Sequence, residues 1–184
     1  MSTIITDNVY NLNGQQILGS SGSIVQCVVA RYDTRTTISA SNSGNGSEIS
    51  GLRLTITPRN AANRIICKWM INGEFNNENC VFTVFRNGGL ITTSNEWGYN
   101  SSTNSRWSGA APSVYDTNND STGQNTCVFW SGIAATTSSV YYSPATRSSN
   151  TGNYTFYINR TVRTTGQNAY ESPFSTGVCW EIAA

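Results

Sequence analysis

The chain has 184 residues and a mass of 20.0 kDa, with 11 basic side chains, 10 acidic ones, no histidine and a formal net charge of +1. That length holds one domain with a sizeable core and is short for two. Charged residues make up only 11% of the chain, too few for the basic stripe that neutralises phosphates, which argues against a nucleic-acid partner. Ser, Thr and Asn fill 69 positions and lysine one, Lys68. Ser-His-Asp and Cys-His catalysis is thereby excluded, and the surface is made of short, uncharged hydrogen-bonding groups. Charge keeps monomeric proteins apart, so a near-neutral chain of this kind is expected to pack against copies of itself or a larger particle.

Residues 1–22 read as an extended N-terminal arm. Ile4, Ile5, Val9, Tyr10, Leu12, Ile17 and Leu18 supply apolar docking points, while Asn13-Gly14 and the Gly19–Gly22 run break any long element. An arm this apolar is expected to be tied down by its own oligomer or by a partner surface. It lacks the basic and apolar regions of a secretory signal, so synthesis in a cytoplasm is expected. No apolar run approaches the roughly 20 residues of a membrane span, and no membrane insertion is expected.

From Ser23 onward, short apolar runs alternate with Asn/Gly/Ser clusters, the pattern of antiparallel strands. Ile24–Arg31 and Thr34–Ser39 come first, followed by Leu52, Leu54 and Ile56 alternating with polar residues up to Pro58. Arg64–Ile71 is apolar at nearly every position, as in a strand buried on both faces. Cys80–Arg86 leads into Asn87-Gly88-Gly89 and Leu90-Ile91-Thr92, a hairpin signal because Asn and Gly accept the positive φ of a tight turn. A polar insert, Ser94–Thr126, interrupts the rhythm and has room for one strand near Arg106–Tyr115. Cys127–Ile133, Ser138–Tyr142, Tyr154–Arg163 and Val178–Ile182 complete nine or ten strands, with no helical periodicity and no internal repeat. The expected fold is all-β, an antiparallel sandwich of jelly-roll type over residues 23–184, preceded by the arm. Cys27, Cys67, Cys80, Cys127 and Cys179 are odd in number and lie in apolar runs, so they read as small buried thiols rather than a disulfide framework or a zinc site. Sequons such as Asn45-Gly46-Ser47 mean little without a secretory route.

The succession GSIVQCVVARYDTRTTIS, ISGLRLTITPRNAANRIICKWMINGE, FTVFRNGG, SPATRSSNTGNYTFYINRT and VCWEIAA resembles a β-sandwich module of tailed bacteriophages, frequent in phages of cyanobacteria and attached to tail fibres and other virion surface proteins. TIITDNVYNLNGQQIL resembles the short leader that anchors or trimerises such proteins. The likeness covers about Ser23–Ala184 and is weaker across the insert. It implies a homotrimeric virion protein at the particle surface, made in the host cytoplasm, whose arm contacts other virion proteins.

Enzyme chemistry is tested by elimination. Glu74 and Glu78 are the nearest pair of carboxylates for glycoside hydrolysis, but they sit in the Asn-rich stretch Asn72–Asn79, where a solvated loop is the expectation. Asp116, Asn118 and Asp120 form a D-x-N-x-D opening of a calcium loop. Ser121 stands where the EF-hand needs Gly and Cys127 where it needs Glu, so an Asx-rich turn is expected and no metal or other cofactor. In the insert, Trp97, Tyr99, Arg106 and Trp107 place aromatic faces and a guanidinium among Asn and Ser. Sugar rings stack on such faces, so these four are candidate contacts for a host-surface glycan or a neighbouring virion protein; packing against the sandwich or a subunit interface is the plainer alternative. Trp69, Trp130 and Trp180 lie in strands and read as core or interface residues. The functional expectation is a non-enzymatic fibre or knob serving host adsorption. A capsid decoration protein bracing the head is the alternative favoured by the short chain, and a glycan-degrading tailspike is disfavoured.

Overall fold

The computed structural model describes residues 9–10, 16–18, 21–42, 46–91, 124–162 and 173–184. Its elements in chain order are β1 (Val9–Tyr10), β2 (Gln16–Leu18), β3 (Ile24–Tyr32), β4 (Thr36–Ala40), β5 (Ser47–Glu48), a 3₁₀ turn (Ser50–Leu52), β6 (Leu54–Ile56), β7 (Arg64–Phe75), β8 (Cys80–Arg86), β9 (Gly89–Leu90), β10 (Gln124–Ile133), β11 (Val140–Ser148), β12 (Tyr154–Ile158) and β13 (Ser175–Ile182). All pairings are antiparallel, and the fold is the all-β sandwich that the alternating pattern predicts. Strands β1 and β2 form a two-stranded sheet of their own.

The 12-residue β7 organises the larger sheet. One of its edges pairs with β10 along Arg64–Gly73. Its other edge pairs with β13 over Arg64–Met70 and with β12 over Gly73–Phe75, so β13 and β12 lie end to end. Beyond them β3 pairs with β13 and β4 with β12. The break between these pairs is filled by side chains. The Asn159 amide donates to the carbonyls of Tyr32 (2.9 Å) and Thr34 (3.0 Å), and its oxygen accepts from Ser175 Oγ (2.7 Å). Ser175 Oγ in turn accepts from the Asn72 N–H at 3.0 Å. Strand ends that lose ladder partners must find others when buried. Gly73 sits at the same junction with φ +154°; a Cβ there would lie 2.4 Å from the Tyr157 carbonyl oxygen.

The smaller sheet is built on β11, which pairs with β8 on one edge and with β6 and β5 on the other, and β8 pairs with β9. Between the sheets lies an aromatic core. Phe75, Phe82 and Phe156 meet with centroids 4.7–5.1 Å apart, and Trp130 stacks on Tyr142 at 4.7 Å. Each such pair adds about 0.5–1.5 kcal/mol beyond its burial. Trp69 is fully buried, donates from Nε1 to the Leu52 carbonyl at 2.9 Å, and fits because residue 177 is a glycine.

Several strand limits differ from expectation, each for a local reason. Leu52 belongs to the 3₁₀ turn, not to a strand. The strand expected to stop at Tyr142 continues through Pro144 to Ser148. The Pro144 carbonyl accepts from the Ile49 N–H, so its nitrogen faces the gap between β5 and β6 and the missing donor costs no ladder bond. The strand expected over Tyr154–Arg163 ends at Ile158, because Asn159 takes φ 57°. The β8–β9 hairpin turns at Asn87 (φ 50°) and Gly88 (φ 76°), as the Asn-Gly pair predicts.

Candidate functional site

The two faces of the larger sheet differ in how they are covered. Along β7, Ile65, Cys67, Trp69 and Ile71 point into the core, whereas Lys68 and Met70 point out and are exposed. The expectation that this strand is buried on both faces is therefore corrected: its second apolar face is not covered by the described part of the chain. The same holds across the neighbouring strands. Val29 is 75% exposed, Phe129 57%, Ile24 57% and Ile133 55%.

Strand register sets these side chains in rows. Phe129, Lys68, Val178 and Val29 form one row across β10, β7, β13 and β3. Ser131, Ile66, Trp180 and Cys27 form the next, and Ile133, Arg64, Ile182 and Ile24 lie beyond it. On the other side Cys127, Met70, Thr176 and Arg31 complete the surface. Lys68, Met70, Val178, Trp180, Val29 and Arg31 line a shallow depression of about 520 Å³ in this face. The Arg31 guanidinium lies 4.3 Å from the Phe174 ring centroid. Three cations, Arg31, Arg64 and Lys68, stand on the face, and none of the outward residues in these four rows is a carboxylate. Exposed apolar patches larger than about 300–600 Å² mark interaction surfaces.

Three of the described carboxylates, Glu48, Glu74 and Glu181, are occupied with holding the fold. Glu181 is fully buried at the end of β13. Its Oε1 accepts from the Arg59 amide (2.7 Å), the Asn60 amide (3.3 Å) and Asn63 Nδ2 (2.6 Å), and its Oε2 from Gln26 Nε2 (2.5 Å). Burial pushes this carboxyl up, but the bonds from Gln26, Asn63 and the two amides outweigh it and hold it below the usual range. Glu48 pairs with Arg53 at 2.6 Å and accepts from Ser143 Oγ at 2.6 Å; the Arg53 hydrogen bond lowers its pKa, against a smaller effect of burial. Glu74 is a further correction. It lies in strand β7 rather than in a solvated loop, is 2% exposed, and accepts from the Val162 N–H at 2.9 Å. Glu78 does lie exposed in the turn that follows.

Of the residues singled out in the sequence, Val9 and Tyr10 fall in β1, and Ile17 and Leu18 in β2. Ile4, Ile5 and Leu12 lie outside the described residues, as do Trp97, Tyr99, Arg106 and Trp107 and the calcium-motif residues Asp116, Asn118 and Asp120. Trp69 and Trp130 are core residues, and Trp180 is half-buried on the outer face. Cys67, Cys80 and Cys179 are buried as expected; Cys27 and Cys127 are exposed on the outer face, contrary to expectation. Burial, aided by Glu78, pushes the Cys80 thiol up to about 12. Among the described residues, no group of three or more His, Cys, Asp or Glu side chains is placed to hold a metal ion.

No protein-family model matches the chain, and comparison with curated proteins returns no relative.

Proposed function

We propose that the protein is a non-enzymatic structural protein of a tailed-bacteriophage particle, a small homotrimeric fibre or knob at its surface that takes part in host adsorption. The observation that carries the assembly half of this reading is the apolar outer face of the larger sheet. A four-strand surface with Val29, Phe129, Ile24 and Ile133 more than half exposed is what a subunit presents before it is buried in an assembly. The phage setting is supported by the segment order that resembles the tailed-phage sandwich module. In this reading residues 1–22 dock to other virion proteins, and the segment bearing Trp97, Tyr99, Arg106 and Trp107 meets a host glycan. The commitment of Glu48 and Glu181 to structural hydrogen bonds favours a structural role over turnover.

A capsid decoration protein is the second reading. It is favoured by the same outer face, which spans four adjacent strands and suits flush packing on a particle shell. The test is compositional and functional. Purified particles are expected to contain the chain at fixed stoichiometry, and the recombinant chain is expected to block adsorption to host cells. Presence in heads with no effect on adsorption selects the decoration reading. Absence from particles, or release of reducing sugar from host polysaccharide, overturns the proposal.

A further inference from the structure

We infer that Cys67 and Cys179 are a redox pair that closes a cross-strand disulfide between β7 and β13 when the chain meets a disulfide oxidant. The chemistry of the pair does not depend on the phage reading. Cys67 and Cys179 are direct partners in the β7–β13 ladder, whereas Cys27 stands opposite Trp180, Cys80 opposite Ser148 and Cys127 opposite Met70. Both side chains of the pair point into the core and are fully buried. There the two thiols are hydrogen-bonded to each other.

The ladder also fixes which kind of pair this is. The Asn72 N–H donates to Ser175 Oγ and the Asn72 carbonyl accepts from the Asn159 N–H, so residue 72 turns its backbone groups toward the β12–β13 edge. Successive residues of a strand turn to opposite edges, so Lys68 and Ile66 bond to β13 while Cys67 bonds to β10. Strand β13 agrees. Ala183 donates to the Ser23 carbonyl and accepts from the Gly22 N–H, so Cys179, at the same parity, turns toward β3. The two cysteines therefore form a non-hydrogen-bonded pair, with Cα atoms about 4.5 Å apart and Cβ atoms at the short end of about 4.5–5.5 Å. A disulfide takes Cα separations of about 4.4–6.8 Å and Cβ separations of about 3.5–4.5 Å. Rotation about χ1 at each cysteine thus brings the sulfurs together with no change of register.

With glutathione disulfide as oxidant, one cysteine thiolate attacks a glutathione sulfur and releases one glutathione thiolate. The other cysteine thiolate then displaces the second glutathione from the mixed disulfide. The two cysteines lose two electrons and two protons, and the oxidant is reduced to two glutathione thiols. Because both sulfurs are buried, exchange proceeds while β13 docks or transiently opens. A chain made with thiols in a reducing compartment gains the bond on reaching an oxidising one. The bond closes a loop of roughly 110 residues and ties the last strand to the middle of the sheet.

The test uses the full chain with Cys27→Ser and Cys127→Ser, which removes the exposed thiols. Reduced, unfolded chain is refolded in a buffer of reduced and oxidised glutathione, quenched in acid and digested. A peptide pair linked through residues 67 and 179 is expected in about half or more of the refolded chain. The oxidised chain is expected to melt roughly 5–15 °C higher than the same chain treated with a phosphine reductant. Cys67→Ser and Cys179→Ser are each expected to abolish both the linked peptide and the dependence of Tm on reductant. A second measurement avoids refolding: native chain is equilibrated in the same buffer below its Tm, and the same linked peptide is expected to accumulate. Free thiols at both positions after either treatment, or a bond that joins Cys80 to one of the two instead, overturns the inference. So does a 67–179 bond found only in chain that lacks native circular dichroism.

Discussion

Replacing Glu181 with glutamine probes the buried carboxylate that ties the turn before β7 to the end of β13. Its four donors are the amides of Arg59 and Asn60 and the side chains of Asn63 and Gln26. In Glu181→Gln one oxygen still serves the three donors on Oε1, but three charge-assisted bonds become neutral ones, a loss of about 1 kcal/mol each. The new amide also faces the Gln26 Nε2 donor, which is already committed to the Thr57 carbonyl at 2.8 Å. Allowing for relaxation, the net cost is about 3 kcal/mol, which for a chain of this size lowers Tm by roughly 6–12 °C. Glu181→Leu leaves the Arg59 and Asn60 amides and Asn63 Nδ2 without this acceptor, only Gln26 keeping its bond to Thr57, and costs more, about 4–5 kcal/mol. The assay is thermal unfolding followed by circular dichroism at fixed protein concentration, since assembly makes Tm concentration-dependent. Acidity supplies an internal check. The folded pKa of Glu181 lies below its ordinary value of 4.5, so its stabilisation is complete above that pH and is lost as the pH falls through the folded value. The gap between native chain and Glu181→Gln should therefore close in acid, while the Glu48 contribution, lowered in the same sense, titrates in both. A variant melting with the native chain at neutral pH, or a gap that persists in acid, would refute the reasoning.

Gly177→Ala would set a Cβ 2.5 Å from the Trp69 ring, and overpacking of this kind costs about 1–3 kcal/mol, measurable in urea unfolding. Asn159→Ala strips partners from the Tyr32 and Thr34 carbonyls and from Ser175 Oγ; about 2–4 kcal/mol is expected, with the loss in amide-exchange protection greatest at the β3–β4 and β12–β13 junctions. Alkylation separates the thiols: Cys67, Cys80 and Cys179 should react only after unfolding, Cys80 remaining slow even at mildly alkaline pH because its pKa is near 12. Cys27 and Cys127, exposed on the outer face, should be protected in assembled particles and react in the dissociated chain.

Much of the fold is legible because a sandwich buries one face of each strand, and burial writes a period of two into the sequence. Cys80–Arg86 and its Asn87-Gly88 turn carry their structure in seven residues and one dipeptide. Where the pattern misleads, tertiary pairing has overridden a local rule. Pro144 stops a strand only if its N–H is needed, and the split between β5 and β6 removes that need. Glu74 looks like a loop residue among asparagines, yet its bond to the Val162 amide lets β7 run on to Phe75. The outer face was legible in part. Apolar residues at both parities of IVQCVVA, RIICKWMI and CVFWSGI point to strands covered twice, but sequence cannot say whether the second cover belongs to the same chain. Lys68, the lone lysine, stands in the middle of that face, and only strand register shows which side chains surround it.

The most direct measurement is a particle reconstruction in which this chain is located by its density or by a bound antibody. The account predicts copies projecting from the tail or from a vertex, with Val29, Phe129, Ile24 and Ile133 sealed between neighbouring copies. Copies lying flat between capsomers, or an outer face left open to solvent in the assembled particle, would contradict it.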